Sequence, residues 1–330
     1  MKVTGIALAA VATFALVGNA AARDQIRIVG SSTVFPFATA VAEQFGKTTS
    51  FKTPIVESTG SGGGLKLFCA GVGTEHPDIT NASRRMKAKE WKLCQENGVT
   101  DVVEFVVGFD GIVVANAKGA ADFDVTREEL FKALAAEQGS PASWNDVNPS
   151  LPAQKIEVLG PPPSSGTRDA FEELAIQKGA RNAGMDKKAA KGLSIREDGA
   201  YVEAGENDNL IVSKLEANPN ALGVFGFSFL DQNADKIKGA KVEGVDPSFE
   251  NIASGDYPVS RSLYFYVKKA HVGVVPGIMD YVQEFAAVRA SGDDGYLVDK
   301  GLIPLPAADH STNAAKVLSL TVMDGSEDLK

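Results

Sequence analysis

The sequence predicts an α/β fold with largely parallel sheets, arranged as two lobes, and three observations carry that reading. Three stretches run strand, polar turn, helix in the same order. Two long extended runs, at residues 103–116 and 257–269, lie far apart in the chain and read as passages between lobes. A chain of 330 residues also exceeds one small core, at roughly 100–200 residues per domain.

The first unit is "DQIRIVGSSTVFPFATAVAEQFGK". Ile26, Ile28 and Val29 make the strand, Pro36 suits a first helical turn, and Phe37, Ala40, Val41 and Phe45 fall on one helical face. The second, "TPIVESTGSGGGLKLFCAG", has a short strand that ends in a Gly-Ser turn, with a helix predicted from Gly63 or Gly64. In the third, "KIEVLGPPPSSGTRDAFEELAIQKG", Ile156, Val158 and Leu159 form the strand. Phe171, Leu174 and Ala175 form its buried helical face, and Gly179 is the predicted stop. "DVTREELFKALAAEQ" adds a structural helix, opened by Thr126 with Glu129 three residues later.

Taking both extended runs as crossovers assigns residues 23–112 with 260–330 to lobe I and 113–259 to lobe II. The tail beyond Leu305 is polar with few periodic apolar positions, and is expected to be partly disordered. Residues 1–22 have Lys2, an apolar run from Ile6 to Val17 and then three alanines, the pattern of a secretory signal peptide cut after Ala22. The apolar run is about 12 residues, short of the roughly 20 that span a bilayer. The expectation is a soluble protein exported to the periplasm.

Without Lys2 the chain holds 32 basic and 42 acidic residues, a formal charge of −10. That balance argues against nucleic acid and anionic membrane as partners, while leaving room for a small anion held by local dipoles. Cys69 and Cys94 are the only cysteines after the leader. In an oxidising compartment an isolated pair reads as a disulfide, the alternative being two buried thiols, and lacks the ligands for zinc. Neither a metal site nor a cofactor is predicted.

The polar turns are not nucleotide sites. "GSGGGLK" lacks the Gly-Lys-Ser/Thr ending of a P-loop and breaks the dinucleotide fingerprint at its last position. There is no Gly-x-Ser-x-Gly elbow, and His76, His271 and His310 have no nucleophile context and read as surface residues. No catalytic residue is predicted. In "GPPPSSGTRDAF" the three prolines stiffen a strand exit, and a helix start then turns amides, hydroxyls and a guanidinium toward an anion.

The motifs "GSSTVFPF", "STGSGGG", "NASRRMK", "SSGTRDAF", "GVFGFSFL" and "YPVSRSLYFYVKK" run in this order from Gln25 to Pro304. In order and spacing they resemble the periplasmic phosphate-binding proteins of bacterial ABC phosphate uptake transporters. The resemblance implies a two-lobed periplasmic binding protein fold of type II kind, with two crossover strands at the hinge and a dehydrated oxyanion in the cleft. It implies phosphate binding by Ser32, Thr33, Val34, Ser61 and Ser83 on one side and by Ser165, Gly166 and Thr167 on the other. Some members carry an Arg four residues before the Ser-Gly-Thr element, where this chain has Pro161, so Arg168 is the expected replacement, able to fork onto two oxygens. The same members place an Asp after an Ala-Ser pair to accept the phosphate proton. Here Arg84 follows Ala82-Ser83, leaving Arg84 as a secondary ligand and Asp110 or Asp169 as the candidate acceptor.

The resulting expectation is a monomeric, non-enzymatic receptor that delivers inorganic phosphate to an ABC permease and its ATPase. The alternatives are a receptor for sulfate, molybdate or a phosphonate, and a secreted phosphatase, which would need the nucleophile–base pair that the sequence lacks.

Overall fold

The computed structural model describes residues 23–205 and 208–329, so the predicted leader lies outside the described residues. Three short strands, β1 (Arg27–Gly30), β2 (Ile55–Ser58) and β3 (Ile79–Ala82), pair in parallel with β1 in the middle. Next comes β4 (Val102–Ala117), 16 residues long and buried along nearly its whole length. Covered on both faces, it shows an almost unbroken apolar run in place of the alternation of a half-exposed strand.

The remaining strands are β5 (Asp124–Val125), β6 (Val158–Gly160), β7 (Tyr201–Glu203), β8 (Leu222–Gly226), β9 (Ile237–Gly239), β10 (Lys241–Val242) and β11 (Ser260–Lys268). The main sheet runs β2-β1-β3-β11-β4-β8-β6-β7, and β9 also pairs with β4. β5 and β10 form a small separate pair.

β4 changes partner along its length. Up to Gly111 it pairs antiparallel with β11, and from Ile112 it pairs antiparallel with β8. A bulge opposite Leu263 and Tyr264 of β11 leaves Val107 as the extra residue on β4, a device that bends and twists a ladder. The packing follows the same division. One core cluster is built almost wholly from residues between Phe109 and Val259, and another from residues 26–107 and 263–317. The fold is α/β and two-lobed, with β4 and β11 as the crossover strands.

The disulfide between Cys69 and Cys94 is formed and sits in a third, smaller cluster with Phe68, Tyr266 and Met323. The capping box at Thr126 is present: its hydroxyl accepts from the Glu129 amide at 3.1 Å, and the Glu129 carboxylate accepts from the Thr126 amide at 2.7 Å. Among the described residues no helix is long and apolar enough to cross a membrane.

Four expectations are corrected. The second helix begins at Ser61, ahead of Gly63, so its glycines are helical residues and not a turn, and Gly64 lacks a side chain because a Cβ there would lie 2.4 Å from the Gly30 Cα. Gly179 does not stop its helix. The helical chain runs from Gly166 through a π-helical stretch, Glu172–Gln177, to Asn182, and Gly179 is there because a Cβ would meet the Arg127 carbonyl oxygen. The tail is ordered as a helix, Ala307–Leu318, after which the Met323 amide donates to the Val102 carbonyl at 2.8 Å. Only His310 and Val317 of that helix are buried, too narrow a stripe to read as periodicity. Finally, His271 and His310 are core residues, hydrogen-bonded to Asp78 and Ser291 respectively.

Candidate functional site

Three turns at the carboxyl ends of parallel strands meet at the centre of the molecule, where ligands of open α/β sheets sit. The first follows β1. Gly30 has φ +134°, and a Cβ on it would strike the Asn81 carbonyl, so only glycine lets this turn lie against β3. The Ser31 amide then donates to that carbonyl at 2.9 Å, and the helix Phe35–Thr48 begins. The amides of Ser32 and Thr33 donate to no acceptor among the described residues. They stand at the positive end of a 14-residue helix. Val34 is fully buried in the core and its amide donates to Ser31 Oγ at 3.4 Å, so it lines no cavity of the cleft.

The second turn places Ser61 at the start of the helix Ser61–Phe68. Its hydroxyl lies 3.0 Å from Ser83 Oγ and accepts from the Ser83 amide, also at 3.0 Å, which ties the ends of β2 and β3 together. Arg84 beside them is held on Glu90 by a fork of 2.9 and 2.7 Å.

The third turn comes from across the cleft. After the prolines, Ser165 caps the helix that starts at Gly166, its hydroxyl accepting from the Thr167 amide at 3.2 Å. A Cβ on Gly166 would stand 3.3 Å from the Ser32 carbonyl oxygen and 3.5 Å from the Thr33 Cα. The two helix starts therefore face each other almost in contact. On one side of this contact a cavity of about 380 Å³ is lined by Ser32, Thr33, Asp110, Ser165, Gly166 and Thr167 among others. On the other, a cavity of about 470 Å³ is shared by Ser32, Thr33, Ser61, Ser83, Arg84, Asp169 and Arg261.

Arg168 is not brought to this place. Its Nε donates to Glu172 at 2.6 Å, its guanidinium lies 4.4 Å from the Tyr201 ring centroid, and it lines a separate cavity with Arg196 and Glu203. The reason is helical geometry: two residues past Gly166 is about 200° around the axis, so a helix that points Gly166 at the cleft points Arg168 away. Asp169, about 60° from Gly166, stays on the cleft side and lines the larger cavity.

A cation that reaches the first helix start is Arg261, on β11, which the sequence shows only as part of a crossover. Its side chain is 9 % exposed. Nη2 donates to Thr33 Oγ1 at 2.7 Å, Nη1 to Glu173 at 2.7 Å, and Nε faces Asp110 Oδ2 at 3.3 Å. Asp110 is its direct partner in the β4–β11 ladder. Burial pushes the Asp110 carboxyl above its ordinary range, Arg261 pulls it back down, and Glu173 adds to the rise. The available signal was a charge near the middle of each crossover run, Asp110 in one and Arg261 in the other.

A two-lobed fold that brings hydroxyls, helix starts and the largely enclosed Arg261 together at a cleft defines a solute-binding protein. The chain matches the model of the PBP superfamily domain over residues 17–292, and it belongs to that superfamily. It is 32 % identical over 314 residues to protein SphX of Synechococcus elongatus, across 92 % of this chain and 84 % of that one. It is 29 % identical over 304 residues to phosphate-binding protein PstS of Staphylococcus saprophyticus, across 91 % and 86 %. Among solved structures, a possible phosphate binding protein from Planctomyces limnophilus superposes with a TM-score of 0.75 at 31 % identity, covering 90 % of this chain and 98 % of that one.

Proposed function

We propose that this protein binds inorganic phosphate in the cleft and delivers it to an ABC-type permease with its ATPase. One observation carries the proposal: Arg261 and Asp110, a cation and a carboxylate only 9 % and 13 % exposed, stand beside the hydroxyl and amide donors of three turns. Phosphate near neutral pH needs both kinds of group, since it has several acceptor oxygens and at least one proton to donate. Ser32, Thr33, Ser61, Ser83, Ser165, Gly166 and Thr167 supply donors, Arg261 the charge, and Asp110 the acceptor for the proton. Sulfate has no proton to give and would leave the Asp110 carboxylate facing a bare anion. The relative named phosphate-binding protein PstS supports the same ligand.

The two lobes are taken as residues 23–112 with 260–330 and residues 113–259, consistent with the change of partner in β4 at Gly111 and Ile112. The protein acts as a monomer in the periplasm after loss of its leader, and as a receptor rather than an enzyme. The hydroxyls of Thr33, Ser61 and Ser165 are engaged with Arg261, Ser83 and the Thr167 amide respectively, rather than with a base.

Isothermal titration of the purified protein with phosphate and with sulfate tests this reading. Phosphate should be favoured by a factor of about 100, the scale of one buried polar group left unpaired. Equal binding of the two ions would refute the assignment.

A further inference from the structure

The 470 Å³ cavity has a chemistry that a single orthophosphate does not use up. Its inner end is one side of the proposed site, at Ser32, Thr33, Ser61 and Ser83, while the side with Asp110, Ser165, Gly166 and Thr167 lies in the 380 Å³ cavity. Its outer wall is cationic: seven basic side chains line it against two carboxylates, in a chain whose formal charge is −9. Two of the seven, Arg84 and Arg261, already hold carboxylates. The other five, Lys87, Lys178, Arg181, Lys187 and Lys191, form no ion pair among the described residues.

These five come from both sides of the cleft, Lys87 following the β3 turn and the rest following the Gly166 helix. Closing the cleft therefore drives like charges together. The strain is visible: Arg84, then burial and Lys187 across the cleft, hold the Lys87 ammonium below its ordinary range, and burial, then Arg181, does the same for Lys178. A multivalent anion between the two walls would offset that repulsion. No aromatic side chain is among the residues that line this cavity, so it offers no ring to stack on a base.

We propose that this vestibule binds condensed inorganic phosphate, with the terminal phosphoryl group in the inner site and the next among Lys87, Lys178 and Lys187. The inference rests on the phosphate reading of the inner site and extends it outward, to pyrophosphate as the smallest ligand of the class.

The test is calorimetric titration with sodium pyrophosphate and, separately, with orthophosphate, in metal-free buffer at low and high salt. It compares the unmodified protein with the triple variant Lys87→Gln, Lys178→Gln, Lys187→Gln. Pyrophosphate should displace orthophosphate, bind more weakly as salt rises, and lose about tenfold or more in the variant, the sum of three partly exposed charge pairs. Orthophosphate should change less than about threefold in the same variant. Orthophosphate binding without displacement by pyrophosphate would overturn the vestibule and leave the functional reading standing. Equal losses for both ions, or an unchanged pyrophosphate affinity, would overturn it too. Lysine-dependent pyrophosphate binding in a protein that ignores orthophosphate would instead overturn the orthophosphate reading and keep the vestibule.

Discussion

Arg261 donates through Nη2 to Thr33 Oγ1 over 2.7 Å, a bond between residues 228 positions apart in the chain. It joins a crossover strand to the helix start that supplies the first anion-binding turn. The same guanidinium reaches Glu173 on the helical chain that begins at Gly166, so one side chain touches both walls of the cleft.

Truncating it should accordingly abolish tight binding. Arg261→Ala should weaken phosphate binding by roughly 30- to 1000-fold, about 2–4 kcal/mol for a desolvated, charge-assisted contact. Arg261→Lys should recover only part of the loss, since an ammonium cannot reach three partners as a planar fork does. Arg168→Ala is the control: phosphate affinity should stay within about threefold while the melting temperature falls, because that residue packs on Tyr201 and Glu172. Titration calorimetry and thermal melts of the three variants decide it, and a large affinity loss confined to Arg168→Ala would reverse the assignment.

Asp110 controls which ion is chosen. Asp110→Asn removes the proton acceptor and supplies a donor in its place, so phosphate should weaken, sulfate should strengthen, and the ratio of the two should narrow by about tenfold or more. Acid should act in the same direction on the unmodified protein. The carboxyl's range lies above the ordinary one because of its burial, so falling pH protonates it earlier than it would a surface aspartate. Sulfate affinity should therefore rise as pH falls, starting at a higher pH than protonation of a surface aspartate would give, and Asp110→Asn should flatten that dependence. A sulfate affinity independent of pH in the unmodified protein would count against Asp110 as the acceptor.

What the sequence made legible here was local. The strand–turn–helix units announce themselves through apolar periodicity and turn residues, so Ser32, Ser61 and Ser165 could be named before their positions in space were known. Val34 and Arg168 lie away from the cleft cavities for a different reason: a motif names residues, whereas the local fold decides where each side chain goes, Val34 into the core and Arg168 around its helix to a separate cavity. Arg261 was hidden because its meaning depends on register. Only the pairing of β4 with β11 sets it beside Asp110, and a shift of one residue would turn it to the opposite face of the sheet.

The disulfide is a stability element remote from the ligand. Cys69 and Cys94 close a loop of 25 residues and are packed under Tyr266 and Met323. Protein taken from the periplasm should titrate no thiol when unfolded without reductant. The double variant Cys69→Ser, Cys94→Ser should lose roughly 3 kcal/mol of stability by chemical denaturation with phosphate affinity nearly unchanged. Two free thiols in the unreduced protein would remove this element from the account.

The contact between Gly166 and Ser32 gives the sharpest test of closure. In the structure a Cβ at position 166 would already press on the Ser32 carbonyl oxygen at 3.3 Å, and a branched side chain would reach the Thr33 Cα as well. Neither wall can yield easily, because the turn at Ser32 is fixed by Gly30 against β3 and the turn at Gly166 is fixed by the Ser165 cap. Gly166→Val should therefore hold the cleft ajar. Overpacking of this kind costs about 1–3 kcal/mol, and here the cost falls on the arrangement in which the two helix starts meet. Phosphate affinity should drop by roughly 5- to 150-fold while the melting temperature of the ligand-free protein changes little. Small-angle scattering supplies the structural readout: phosphate should shrink the radius of gyration of the unmodified protein and shrink that of Gly166→Val less. A variant that closes fully and binds phosphate as tightly as the parent would show that the two helix starts do not meet around the ligand.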